Sequence, residues 1–166
     1  MKRLFLLGLM CQTICPIVRG QYFYKDIINT RQASSEMAVL RQAGVRMVSL
    51  KSYEADESES RSFFCERKLS RDHRKSSLYT RIGLTGRSLM ESSFDEQGRL
   101  VQTYDSSENF ISRTRFSYDD RGRLFRTRSE SSSADEDFVS RGAEEHVYLY
   151  DESPLPHSMF RIRNGS

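Results

Sequence analysis

The sequence predicts a mainly β fold, an antiparallel β-meander of hairpins with one short N-terminal helix after a signal peptide. Three observations lead there. From Val45 onward the chain alternates apolar and polar residues in short runs, with polar breaks about every ten residues. The stretches FDEQGRL (residues 94–100) and YDDRGRL (residues 118–124) repeat one turn at an offset of 24 residues. Between the runs lie only short breaks, whereas parallel strands need long crossovers.

The first element is the leader. Lys2 and Arg3 precede the apolar run LFLLGLM, and CQTICPIV then leads to Val18 and Gly20, the small residues that signal peptidase accepts ahead of Gln21. The apolar run is too short to span a bilayer. Residues 1–20 are therefore expected to be a signal peptide cleaved after Gly20, and residues 21–166 a single β-sheet domain with no transmembrane segment, in the periplasm or outside the cell. A buried N-terminal strand or helix is the plainer alternative. Lipidation at Cys11 or Cys15 is disfavoured, because Met10 and Ile14 stand where lipoprotein processing wants a small residue.

Cleavage changes the charge and the cysteine arithmetic. The chain carries 26 basic and 23 acidic residues, and removing Lys2, Arg3 and Arg19 leaves 23 of each. A neutral mature chain gives no ground for a nucleic-acid partner. Cys65 is left without a disulfide partner, so packing alone must hold the fold, and its place in SFFCERKL reads as a small buried hydrophobe.

A helix is expected near residues 34–43, capped by Ser34 or Ser35, with Met37, Ala38 and Leu40 on one side and Gly44 as the stop. At three turns at most, it needs a sheet to pack against. VRMVSLKSY, SFFCERKLS, LYTRIGL and SLMESSF then read as strands, separated by the acidic EADESES and the turn RDHRKSS. In the repeated turn, Asp95 and Asp119 accept backbone hydrogen bonds, and Gly98 and Gly122 take the positive φ that a following bulge requires. Arg99 and Arg123 are expected to face solvent, while Leu100 and Leu124 return to the apolar side near Phe94 and Tyr118. RSESSSADEDFVSRGAEE, poor in apolar residues, reads as a long exposed loop. HVYLYDESPLPHSMFRIRN resumes strand character; its YLYD resembles a third turn entry in which Pro154 and Pro156 replace the glycine solution. The last strand is expected to be a sheet edge, open to self-association.

YDDRGRL and FDEQGRL resemble the tyrosine-aspartate repeats of Rhs-type secreted and cell-wall-associated proteins, in which a Tyr-Asp pair, a glycine and an arginine recur along β-hairpin arrays. Tyr118, Asp119, Gly122 and Arg123 match that pattern, with Phe94 in place of tyrosine in the other copy. The likeness covers about 35 residues. It implies hairpin architecture, without the shell or toxin of the large members. The layout as a whole is similar to small exported proteins of the Bacteroidota.

Chemistry is sparse. His73, His146 and His157 are far apart and at no metal-ligand spacing. Asp135, Glu136 and Asp137 lack the alternation and glycine of a calcium loop. Neither a nucleophile elbow nor a phosphate loop is present around residues 83–88, so no catalytic residue, metal or cofactor is expected. The one basic and aromatic stretch is RTRFSYDDRGRLFRTR, where Arg113, Arg115, Phe116, Tyr118, Arg126 and Arg128 are the candidate binding residues for a glycan or an envelope protein. The ordinary solvent side of a hairpin would look the same. The expected function is thus an exported structural or binding protein of the cell envelope. The alternatives are a periplasmic lipid- or glycan-binding module or a hydrolase using paired carboxylates.

Overall fold

The computed structural model describes residues 20–83, 86–135 and 138–163, with side chains described from Tyr24 onward except at 134–140. Most of the expected signal segment and two residues of the acidic run, Glu136 and Asp137, therefore lie outside the described residues. Helix α1 (Gly20–Gln42) is followed by β1 (Met47–Leu50), β2 (Phe63–Leu69), β3 (Lys75–Ile82), β4 (Gly86–Phe94), β5 (Leu100–Ser107), β6 (Phe110–Tyr118), β7 (Leu124–Asp135), β8 (Phe138–Leu149) and β9 (Ser158–Arg163). The strands form one open antiparallel sheet in sequence order, β1 to β9, so each strand pairs only with its neighbours in the chain. This is the expected meander.

The repeated turns explain why the strands reverse where they do. Gly98 and Gly122 have φ of 78° and 75°. The Gly98 N–H donates to the Asp95 carbonyl at 3.0 Å and the Gly122 N–H to the Asp119 carbonyl at 2.8 Å. The strand register slips next to each turn, at Ser93/Phe94 and at Ser117/Tyr118, which are the expected bulges. The β2–β3 connection solves the same problem with other residues. Ser70 accepts the His73 N–H on its carbonyl at 3.0 Å and the Arg74 N–H on its hydroxyl at 3.1 Å, and His73 takes the positive φ, 53°.

Two expectations fail in instructive ways. The serine-rich segment read as a loop is the β7–β8 hairpin, whose strands are the longest in the sheet at 12 residues each. Its described residues 128–133 and 141–145 are all at least partly exposed, and backbone pairing does not require an apolar face. The helix does not start at Ser34: it already includes Gly20, and its described part, Gly20–Gln42, runs 23 residues. Ser34 does not cap it. Its hydroxyl accepts the Leu100 N–H at 3.1 Å, next to the bulge, and so ties the middle of the helix to the sheet. Gly44 does end the helix as expected, with the Val45 N–H on the Leu40 carbonyl and the Gly44 N–H on that of Arg41.

About 34 Å of helix crosses the roughly 29 Å between β2 and β8. At its C-terminal end Met37 packs with Leu69, Phe94 and Leu100. At its N-terminal end Ile27 packs with Leu124 and Tyr148, and Phe116 touches both clusters. These residues gather at the turn ends of the strands, so the helix covers one end of one face. Burying each of these apolar side chains stabilises by about 1.5–3 kcal/mol. The opposite face has no described element packed on it.

Candidate binding face and buried polar network

The turn residues form staples between successive hairpins. Asp95 accepts the Arg99 N–H at 2.8 Å and its Nε–H at 2.7 Å, and Asp119 binds Arg123 in the same way at 2.7 and 2.8 Å. Desolvation pushes both carboxyls upward, but the hydrogen bonds and positive charge of Arg99 and Arg123 outweigh it and hold them below the ordinary aspartate value. Each guanidinium then lies over the tyrosine that opens the next copy, Arg99 over Tyr118 at 4.8 Å and Arg123 over Tyr150 at 4.4 Å. The same tyrosines reach back, Tyr118 Oη–H to the Leu100 carbonyl at 2.7 Å and Tyr150 Oη–H to that of Leu124 at 2.8 Å. Burial pushes the Tyr118 phenol up to about 12. Arg99 and Arg123 therefore do not simply face solvent: they are links between copies. The third copy, at Tyr150, keeps this link although its glycine is replaced.

The six candidate binding residues divide between the two faces. Arg115 stands opposite Arg128, Ser117 opposite Arg126 and Arg113 opposite Glu130, all on the helix-free face. Phe116 and Tyr118 point the other way and pack under the helix. Three of the four arginines are partly neutralised in place: Arg115 and Arg128 lie 3.5 and 3.1 Å from Glu130, and Arg126 lies 3.1 Å from Glu145. Arg113 instead sits over the Tyr104 ring at 5.7 Å. Between β5 and β8 this face carries a hollow of about 720 Å³, lined by Tyr104, Ile111, Arg113, Arg128, Glu130 and Arg141 and floored in part by Ala143. Arg141 fell within the segment read as a loop, and only the β7–β8 pairing brings it beside the other arginines.

On the helix side the structure builds a network that no sequence spacing announces. Oδ2 of Asp26, on α1, accepts from His146 Nδ1 at 2.7 Å, Tyr148 Oη at 2.9 Å and Thr127 Oγ1 at 3.0 Å. His146 Nε2 lies 2.8 Å from Glu144 Oε1, and Glu144 Oε2 accepts from Arg161 at 2.6 Å and Arg163 at 3.0 Å. Ionised carboxylates only accept, so bonding both ring nitrogens requires the doubly protonated imidazolium. The bond to Asp26 raises the His146 pKa, aided by Glu144 and opposed by burial. For Asp26, desolvation is outweighed by the bonds from His146 and Tyr148 and by the imidazolium charge, and its pKa is lowered. With both nitrogens engaged, His146 presents no basic lone pair, and the network acts as a tie between the helix and β7 to β9.

Beside the helix runs a cleft of about 370 Å³. Its floor is a row of hydroxyls in register across five strands, Ser76, Ser92, Thr103, Thr114 and Ser129. Thr114 and Ser129 are hydrogen-bonded at 2.8 Å. On its helix side Ala33, Met37 and Leu40 line it beside Asp26, Asn29 and Glu36. No described helix is long and apolar enough to cross a membrane.

Among the described residues, fold and site thus define an open antiparallel β-meander with one covering helix and an arginine-bearing face that no other element covers. Against family models, curated proteins and solved structures the chain finds no match.

Proposed function

We propose that the chain is an exported structural or binding protein of the cell envelope that meets its partner through the helix-free face of the sheet. The observation that carries the reading is the division of labour between the faces. The helix, the apolar clusters and the buried network all lie on one side, while Arg113, Arg115, Arg126 and Arg128 stand in register on the other. Export rests on the leader pattern. Cleavage after Gly20 leaves Tyr24, Asp26 and Ile27, which touch the sheet, in the mature chain.

The alternatives find less support. A hydrolase with paired carboxylates needs one carboxyl held protonated by a raised pKa, whereas Asp26, Asp95 and Asp119 are all lowered. A lipid site needs a continuous apolar concavity, whereas in the helix-side cleft Met37, Leu40, Met90 and Phe116 share the lining with hydroxyls and carboxylates.

The test is export and fractionation of the full chain with its leader. Intact mass beginning at Gln21 and sedimentation with envelope material are expected. Replacing Arg113, Arg115, Arg126 and Arg128 by glutamine will release the folded chain from that material. Retention of this variant at the level of the parent would remove the helix-free face from the account.

A further inference from the structure

The hollow on the helix-free face has a more specific chemistry than a basic patch. Arg113, Arg128 and Arg141 come from three neighbouring strands, β6, β7 and β8. In the register of β7 and β8, Arg128 pairs with Glu145 and Arg141 with Ser132, four positions apart, or roughly 13–14 Å along the strands. With their backbones spread over that length and over three strands, the three arginines suit a ligand that carries several negative charges along a chain. Their planar forks match carboxylates and phosphates equally well. Glu130 decides between them. It is partly exposed in the middle of the hollow, opposite Arg113 on one side and Ala143 on the other. The phosphodiester backbone of DNA brings it acceptors and repulsion, with donors only on the bases. An acidic sugar brings hydroxyl donors that it can accept, together with carbon-bound hydrogens for the apolar surface of Ile111 and Ala143.

We propose that this hollow is a subsite for a uronic-acid polysaccharide. Arg113, Arg128 and Arg141 take sugar carboxylates, Glu130 accepts a sugar hydroxyl, and Tyr104 holds Arg113 in position from beneath. The proposal rests on the reading of the helix-free face as the binding face. Arg141 is the most telling residue. It is exposed and has no ion-pair partner among the described residues, unlike Arg115, Arg126 and Arg128.

The experiment is calorimetric titration of the full chain with polygalacturonate fragments, with a neutral galactan and oligo-dT as comparison ligands. The parent is expected to bind polygalacturonate in preference to both. Arg141→Gln will weaken binding about tenfold, and adding Arg113→Gln will weaken it by about tenfold again. Glu130→Leu, which removes the acceptor together with the charge, will weaken polygalacturonate binding while strengthening any binding of oligo-dT, a reversal that simple charge attraction would not produce. Thermal unfolding of each variant at the parent's temperature confirms that the surface changes leave the fold intact. Equal or tighter binding of oligo-dT by the parent, or undiminished polygalacturonate binding by the arginine variants, overturns the proposal. If polygalacturonate fails to bind while the parent still sediments with envelope material and the fourfold arginine variant is released, the subsite is wrong and the binding face stands. If the parent neither binds nor sediments, both fall.

Discussion

The two faces of this sheet use the same kinds of charged residue to opposite ends. Under the helix, Asp26, His146 and Glu144 lie in a partly dry network in which each bond is held by several others. On the far face Arg115, Arg126 and Arg128 pair with Glu130 and Glu145 in water. A charge pair removed from water is costly to break because its partners are left behind, whereas an exposed pair is screened and contributes little. The comparison teaches that the helix face is built for cohesion and leaves the other face free to vary without loss of the fold.

The largest expected effect is on the apolar part of the helix face. Phe94→Ala, in the cluster that receives Met37, will cost about 3–5 kcal/mol in urea unfolding. Next comes Asp26→Ala, which strands His146, Tyr148 and Thr127 and will cost about 3 kcal/mol by the same measurement. The network also sets a pH window. Because the folded pKa of His146 is raised, its contribution is complete below its unfolded value of 6.5 and is lost as pH rises through the folded value. Because that of Asp26 is lowered, its contribution is present above its unfolded value of 3.8 and is lost as pH falls through the folded value. Thermal stability will therefore be greatest between these two values as far as this network governs it, and Asp26→Asn will flatten the decline on both sides.

Smaller effects sharpen the contrast. Gly98→Val forces a β-branched residue to φ of 78° and will cost about 1–2 kcal/mol. Tyr118→Phe keeps the ring under Arg99 but removes the bond to the Leu100 carbonyl, and will cost about 1 kcal/mol. Arg126→Gln on the far face will change stability by less than about 0.5 kcal/mol. Were it to destabilise as much as Asp26→Ala, the distinction between the faces would collapse.

What was legible in the sequence was what local chemistry dictates. Asp95 to Gly98 and Asp119 to Gly122 form turns wherever they occur in a hairpin, and alternation from Val45 onward marks strands. The first half of α1 was not legible, because the side it turns to the sheet carries Asp26, Thr30 and Ser34 where an apolar stripe was sought. Thr30 bonds back to the Asp26 carbonyl at 2.9 Å, and Asp26 and Ser34 find partners on strands far along the chain. The β7–β8 hairpin was not legible because the segment that carries most of it, residues 128–145, is rich in serine and acids and shows no apolar alternation, and Arg141 and the hollow went with it. The Asp26–His146 tie joins residues 120 positions apart, and no spacing rule reaches that far. The β2–β3 turn was legible at RDHRKSS as a reversal of the chain, but its chemistry was not: Ser70 and His73 do there the work of aspartate and glycine.

The measurement that bears most directly on the division between the faces is arginine-directed labelling of the folded chain, read by mass spectrometry with and without envelope material. The account predicts that Arg113, Arg126, Arg128 and Arg141 become protected when envelope material is added, while Arg121, exposed in the β6–β7 turn, labels as before. Equal labelling of the four arginines in both conditions, or protection confined to Arg121, would contradict it.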